Sequence, residues 1–144
     1  MISRYESPIV DLVVRGMVPF IQLFALYVIM HGHYSPGGGF QGGAILAASV
    51  LLMRLTLGGE DSRRRFSQAQ ATSQGAVGVL IYAGVGLVSL GTGGMYLDYG
   101  SLPFPGVETA MLRSYGILAV EVGVALAVSG ILVSIFDDLI GKEM

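Results

Sequence analysis

Few residues in this chain have the type and spacing to do chemistry. His31 and His33 stand two apart in "HGHYSPGGGFQGG", residues 31–43. A histidine pair raises the question of a metal, yet the chain has no cysteine and no carboxylate lies nearby, so a zinc-like ligand set stays incomplete. The plainer reading is two polar tips at a water interface. Gly37, Gly39 and Gly42 satisfy G-x-G-x-x-G, but that pattern binds a dinucleotide only between a strand and a helix of a βαβ unit, and no such unit surrounds it. One candidate remains. Glu121 is a carboxylate inside the apolar run Ser114–Phe136. Desolvation raises a carboxyl pKa and a nearby cation lowers it, so a membrane-buried Glu reached by an ion path can exchange a proton for a cation.

The elements that must position these residues follow from composition. Of 144 residues, 53% are hydrophobic, 12% are charged and 22 are glycine, and the mean hydropathy is +0.69. That combination belongs to a membrane protein rather than a soluble domain. The absence of cysteine excludes disulfide frameworks, thiol catalysis and iron–sulfur ligation, and a net charge of −2 provides no footprint for nucleic acid. With two histidines and no partnered nucleophile, neither catalysis nor a cofactor is expected of the chain.

A bilayer core of roughly 30 Å needs about 20 helical residues. Four runs meet that length: Val10–Met30, Phe40–Leu57, Gly75–Leu97 and Ser114–Phe136. The expected fold is therefore an all-α integral membrane protein, residues 1–144 forming a single four-helix domain with a glycine-rich elbow between its first two helices. The N-terminus "MISRYESPIVD" holds two acids, and no small-residue cleavage site follows the first run, so a signal peptide is not expected. Asp11 precedes Arg15 by one turn in the order that favours an ion pair, and Pro19 is a candidate bend.

Basic residues set the orientation. Arg4, Arg63, Arg64, Arg65 and Lys142 collect on one side of a four-span layout, against Arg113 on the other. Both termini are expected in the cytoplasm and the elbow outside. The three consecutive arginines enforce topology and meet anionic lipid. Arg54, near the end of its span, is expected to snorkel to the same interface. Asp137 and Asp138 read as solvated ends, and Tyr96, Tyr99 and Phe104 as interfacial anchors in an outward loop.

The elbow carries no Asp, Glu, Lys or Arg and six glycines in thirteen residues. Irregular backbone at membrane depth persists only where protein or a wet cavity satisfies its polar groups, and glycine lets such a segment turn sharply against neighbouring helices. It reads as a packed element leading into the second span, whose Gly43/Ala47 and Ala44/Ala48 pairs keep neighbours close. In the fourth span, Ala119, Gly123, Ala127, Gly130 and Ser134 draw a continuous small-residue face. Glu121 lies roughly 160° from its centre, about 10 Å below the outer end of the expected span. An acid facing lipid is costly. If the small face packs within the subunit, Glu121 is expected to be covered by another chain, transporting, staying protonated, or pairing with a base such as Arg54. Gln22 is placed to hydrogen-bond across helices.

"GHYSPGGGFQGG" resembles the G-H-x-x-P-G-G-G-F-x-G-G signature of the MnhB subunit of the Mrp/Mnh-type multisubunit cation/proton antiporters. His33, Pro36, Gly37, Gly38, Gly39, Phe40, Gly42 and Gly43 match it position by position, and the four-span layout extends the likeness across nearly the whole chain. The resemblance implies a small non-catalytic subunit of a multi-pass complex in a prokaryotic cell membrane. It further implies other antiporter subunits and membrane lipid as partners, with Na+ and H+ as the transported ions. Similar subunits occur in the sodium-translocating membrane arms of respiratory hydrogenases and related oxidoreductases, which is the alternative function. An assembly scaffold with no ion path is a third reading, and it makes Glu121 dispensable.

The orientation predicts that a cysteine at Ser67 is shielded from an impermeant thiol reagent in intact cells, whereas one at Ser101 is labelled. The opposite pattern would overturn it.

Overall fold

The computed structural model describes residues 7–32, 34 and 37–141. They form five α-helices and a single 3-10 turn: α1 Pro8–Met30, α2 Gly39–Leu57, α3 Gly59–Arg65, α4 Gln68–Gly91, the turn Tyr99–Ser101, and α5 Thr109–Gly141. Of these, α1, α2, α4 and α5 are long and apolar enough to cross a membrane. In space α5 lies between α2 and α4, while α1 packs on α2 and only lightly on α5.

Local chemistry explains the helix ends. Pro8 opens α1, where its missing N–H costs nothing. Arg15 Nε pairs with Asp11 Oδ1 at 3.1 Å one turn along, as the sequence predicts. The helix continues through Pro19. The third span begins at Gln68 and ends at Gly91 rather than covering Gly75–Leu97. Ser67 Oγ accepts from the Gln70 N–H at 3.2 Å and Gln70 Oε1 accepts from the Ser67 N–H at 2.8 Å. This reciprocal cap starts the helix inside a polar stretch that hydropathy passes over. At the far end, the chain turns at Gly93, whose φ of +89° favours glycine. The fourth span is longer than the expected Ser114–Phe136: α5 has 33 residues, about 50 Å of helix.

The core is built of small side chains. Ala47, Ala71 and Val133 meet at its centre, with Val50, Leu51 and Phe66 packed against them. Apolar side chains such as Leu12, Phe20 and Leu23 point outward from α1, the normal state of a span facing lipid or a neighbouring subunit. Gln22 does bond across helices, its Nε2 donating to Ser49 Oγ at 3.3 Å.

Two charged residues depart from expectation. Arg54 does not snorkel, and Asp137 is not a solvated end. Each side chain is only 1% exposed, and Arg54 Nη2 sits 2.9 Å from Asp137 Oδ2. Arg54 Nη2 also donates to the Phe66 carbonyl at 3.0 Å, and Arg63 Nε approaches Asp137 Oδ1 at 3.5 Å. The reason is geometric. Gly58, at φ +90°, turns the chain directly from α2 into α3, which places the α3–α4 joint over Arg54. Because α5 runs on past Phe136, Asp137 continues the buried stripe of Gly130, Val133 and Ser134 toward α2. Asp138, one residue on, is exposed and accepts from Gln68 Nε2.

Ser67 and Ser101 are both half-buried, so the exposed Ala69 and Pro105 are better cysteine sites at the same two ends. Removing Asp137 strands the buried Arg54, and removing Arg54 leaves the buried Asp137 only the more distant, partly exposed Arg63. Arg54→Met or Asp137→Leu alone is therefore expected to destabilise the chain by roughly 3–5 kcal/mol, and the double variant to recover most of that loss. Thermal unfolding of the three purified variants in one detergent measures it; a double variant no better than the singles contradicts the pairing.

Candidate functional site

The candidate site lies where the α1–α2 elbow meets α5. His33 and Pro36 of the signature lie outside the described residues. The remaining signature positions can be placed. Gly38 precedes α2 with φ +131°, a conformation side chains rarely adopt, and a Cβ there would stand 3.2 Å from Glu121 Oε1. A Cβ on Gly39 would collide with the Glu121 carbonyl oxygen. Gly32, at the end of α1, is equally close: its Cβ would fall 2.5 Å from Glu121 Oε1 and run into Gly38.

These three glycines wrap one side chain. Glu121 is half-buried with its Oε2 fully enclosed, and its carboxylate lies against the start of α2, the positive end of that helix dipole. The expectation that another chain must cover Glu121 is therefore corrected, because the elbow of the same chain does so. Arg54 is not its partner either. That guanidinium belongs to Asp137, sixteen residues further along α5, about 24 Å away along the axis.

Gly42 and Gly43 divide the contacts of α2 between its neighbours. A Cβ on Gly42 would strike Ile29 of α1, and one on Gly43 would lie 2.7 Å from the Ala125 carbonyl of α5. Gly37 is exposed, near Gln41 and Val28, and Phe40 points away from the bundle.

The small-residue face of α5 is turned the other way, onto α4. Gly123 meets the Gly78 carbonyl and Ile81, Ala127 meets Gly78, and Gly130 meets Ala71 and Gly75. Ser134 Oγ lies 3.0 Å from Thr72 Oγ1. Ala119 lines a groove shared with Leu80, Ile81 and Gly84 of α4.

On the far side of Glu121 from Asp137, the α4–α5 loop folds back onto the helices. The Tyr99 ring packs on Gly116 and the Tyr96 ring on Gly86. These two rings, which the sequence suggests as interfacial anchors, are packing residues. Burial is the main cause that pushes the Tyr99 phenol above its ordinary value, with smaller contributions from Tyr82 and Glu121. His31 is engaged locally, its Nδ1 lying 3.0 Å from the Tyr27 carbonyl and its ring stacked on that of Tyr27.

Sequence reasoning missed the Arg54–Asp137–Arg63 cluster. The available signal was the continuation of the i, i+3, i+4 buried stripe of α5 onto Asp137, opposite a basic residue in the last turn of α2.

Residues 9–134 match the family described as "Domain related to MnhB subunit of Na+/H+ antiporter". The chain belongs to the MnhB family. It is 36% identical over 122 residues to a Na(+)/H(+) antiporter subunit of Alkalihalophilus pseudofirmus, covering 78% of this chain and 83% of that protein. With a Na(+)/H(+) antiporter subunit of Bacillus subtilis it shares 31% identity over 115 residues, 75% of this chain and 80% of the relative.

For this MnhB-family chain, the elbow contacts predict a graded response to added methyl groups. Gly39→Ala forces α2 off α5 and is expected to cost about 1–3 kcal/mol, the usual range for overpacking. Gly16→Ala, where nothing lies within 4 Å of the new Cβ, is expected to be neutral or slightly stabilising. Parallel melting curves compare them, and equal curves contradict the close packing.

Proposed function

We propose that this chain is a non-catalytic membrane subunit of a multisubunit monovalent cation/proton antiporter, exchanging Na+ for H+ as the names of its relatives indicate. Its partners are the other subunits of that complex and membrane lipid. The complex resides in the prokaryotic cell membrane, with the arginine-bearing end of the bundle in the cytoplasm and the elbow outside. Those same relatives weigh toward the antiporter over the membrane arm of a redox complex.

One observation carries a role for Glu121: the signature glycines and the carboxylate form a single junction. Side chains larger than hydrogen at Gly32, Gly38 or Gly39 would displace the carboxylate or the start of α2. Glycine there fixes the acid in position and excludes lipid from it. Polar backbone at the helix start supplies compensation for the charged form. An acid so held can alternate between a protonated state and one facing a cation while the surrounding backbone stays in place. The elbow glycines position Glu121, and the small face of α5 anchors the helix that carries it.

Glu121→Gln keeps size and hydrogen-bonding capacity and removes titration. A transport role predicts that cation/proton exchange in vesicles falls to the background of vesicles lacking the complex, while co-purification of the subunits is unchanged. Exchange at the wild-type rate by an intact complex would favour the scaffold reading. Loss of assembly would instead mark Glu121 as half of a structural ion pair.

A further inference from the structure

We propose that the groove at the arginine-bearing end of the bundle, between α2 and α4 and floored by α5, is a binding site for one anionic glycerophospholipid. It would hold an acyl chain in the groove and the phosphate at Arg65.

The groove has a volume of about 300 Å3, with Leu46, Val50, Met53, Phe66 and Val133 among its walls. Several of its polar groups bond within the protein. Gln22 Nε2 donates to Ser49 Oγ, which donates to the Leu46 carbonyl at 2.7 Å. On the other wall Gln74 Nε2 donates to Ser129 Oγ at 2.7 Å, and Ser129 Oγ donates to the Ala125 carbonyl at 2.7 Å. The hydroxyls are thus spent on the protein, and the surface offered to an occupant is that of the hydrocarbon side chains. A hydrocarbon chain fits such a wall better than an ion does.

Depth and charge identify the occupant. The α2 residues that line the groove run from Leu46 to Met53, roughly 10 Å along the helix, about two thirds of the hydrocarbon of one leaflet in a bilayer core of about 30 Å. The groove therefore fits within one leaflet. At its mouth stands Arg65, exposed at the end of α3. The three consecutive arginines are not equivalent: Arg63 turns inward to Asp137, while Arg65 borders the groove. An arginine beside an apolar slot that fits within one leaflet matches a phosphate headgroup joined to an acyl chain.

The test uses the full-length chain in a mild detergent, titrated with phosphatidylglycerol or phosphatidylcholine of identical acyl chains and read by native mass spectrometry. Wild type is expected to retain phosphatidylglycerol about fivefold better than phosphatidylcholine, the factor one interfacial arginine supplies. Arg65→Gln is expected to abolish that preference, and Met53→Trp, which fills the groove, to reduce retention of both lipids. Equal retention of the two lipids by wild type overturns the proposal, as does undiminished retention by Met53→Trp. Displacement of phosphatidylglycerol by an equal concentration of glycerol phosphate overturns it too, marking a site for free phosphate. Arg65 is exposed, so its variant folds even if Met53→Trp does not, and the ratio of the two lipids then decides.

Discussion

Close approach of backbones along α5 is the constraint on which the rest of this structure depends. Within a bilayer the hydrophobic effect gives helices little reason to associate, so contact distance and polar pairing must hold them together. The chain meets this by placing glycine and alanine on two sides of α5. Gly78 and Gly75 of α4 lie against Gly123, Ala127 and Gly130, while Gly39 and Gly43 of α2 lie against Glu121 and Ala125. Nearly every other feature follows from α5 being clasped on both sides.

The same interface carries ionisable groups at two levels. Glu121 sits at the start of α2 and Asp137 near its end, facing Arg54. Both are set against a backbone or a cation rather than against lipid, which is the condition under which charges persist in a low-dielectric medium. The two junctions differ in kind. Asp137 has two guanidinium groups beside it and lies almost wholly buried, an arrangement that locks α2, α3 and α5 together. Glu121 is half-buried and bordered by glycine. The charge at the arginine-bearing end is thus paired and almost wholly enclosed, and the acid near the elbow is less so.

Polar pairs between these levels connect the helices without adding charge. Gln22 with Ser49, Gln74 with Ser129, and Thr72 with Ser134 cross the α1–α2 and α4–α5 interfaces. Each satisfies polar atoms that would otherwise face hydrocarbon. The first two pairs also engage an amide N–H and a hydroxyl at the groove walls, whose other residues are mostly apolar.

Local pattern alone determined the four spans, the uncharged glycine elbow, the Asp11–Arg15 pair and the small-residue stripe of the last helix, because hydropathy, glycine density and helical periodicity are properties of neighbouring residues. Its failures were at ends. Gln68–Gln74 is too polar to read as part of a span, and only the Ser67–Gln70 cap reveals that the helix begins there. Tertiary structure alone decided which face meets which helix. Glu121 lies more than eighty residues from Gly38 and Gly39, and Asp137 as far from Arg54, so no periodicity within one helix could pair them. The pairing arises because α5 inserts between α2 and α4 and extends past Phe136. That order depends on the contact distances available across three helices at once.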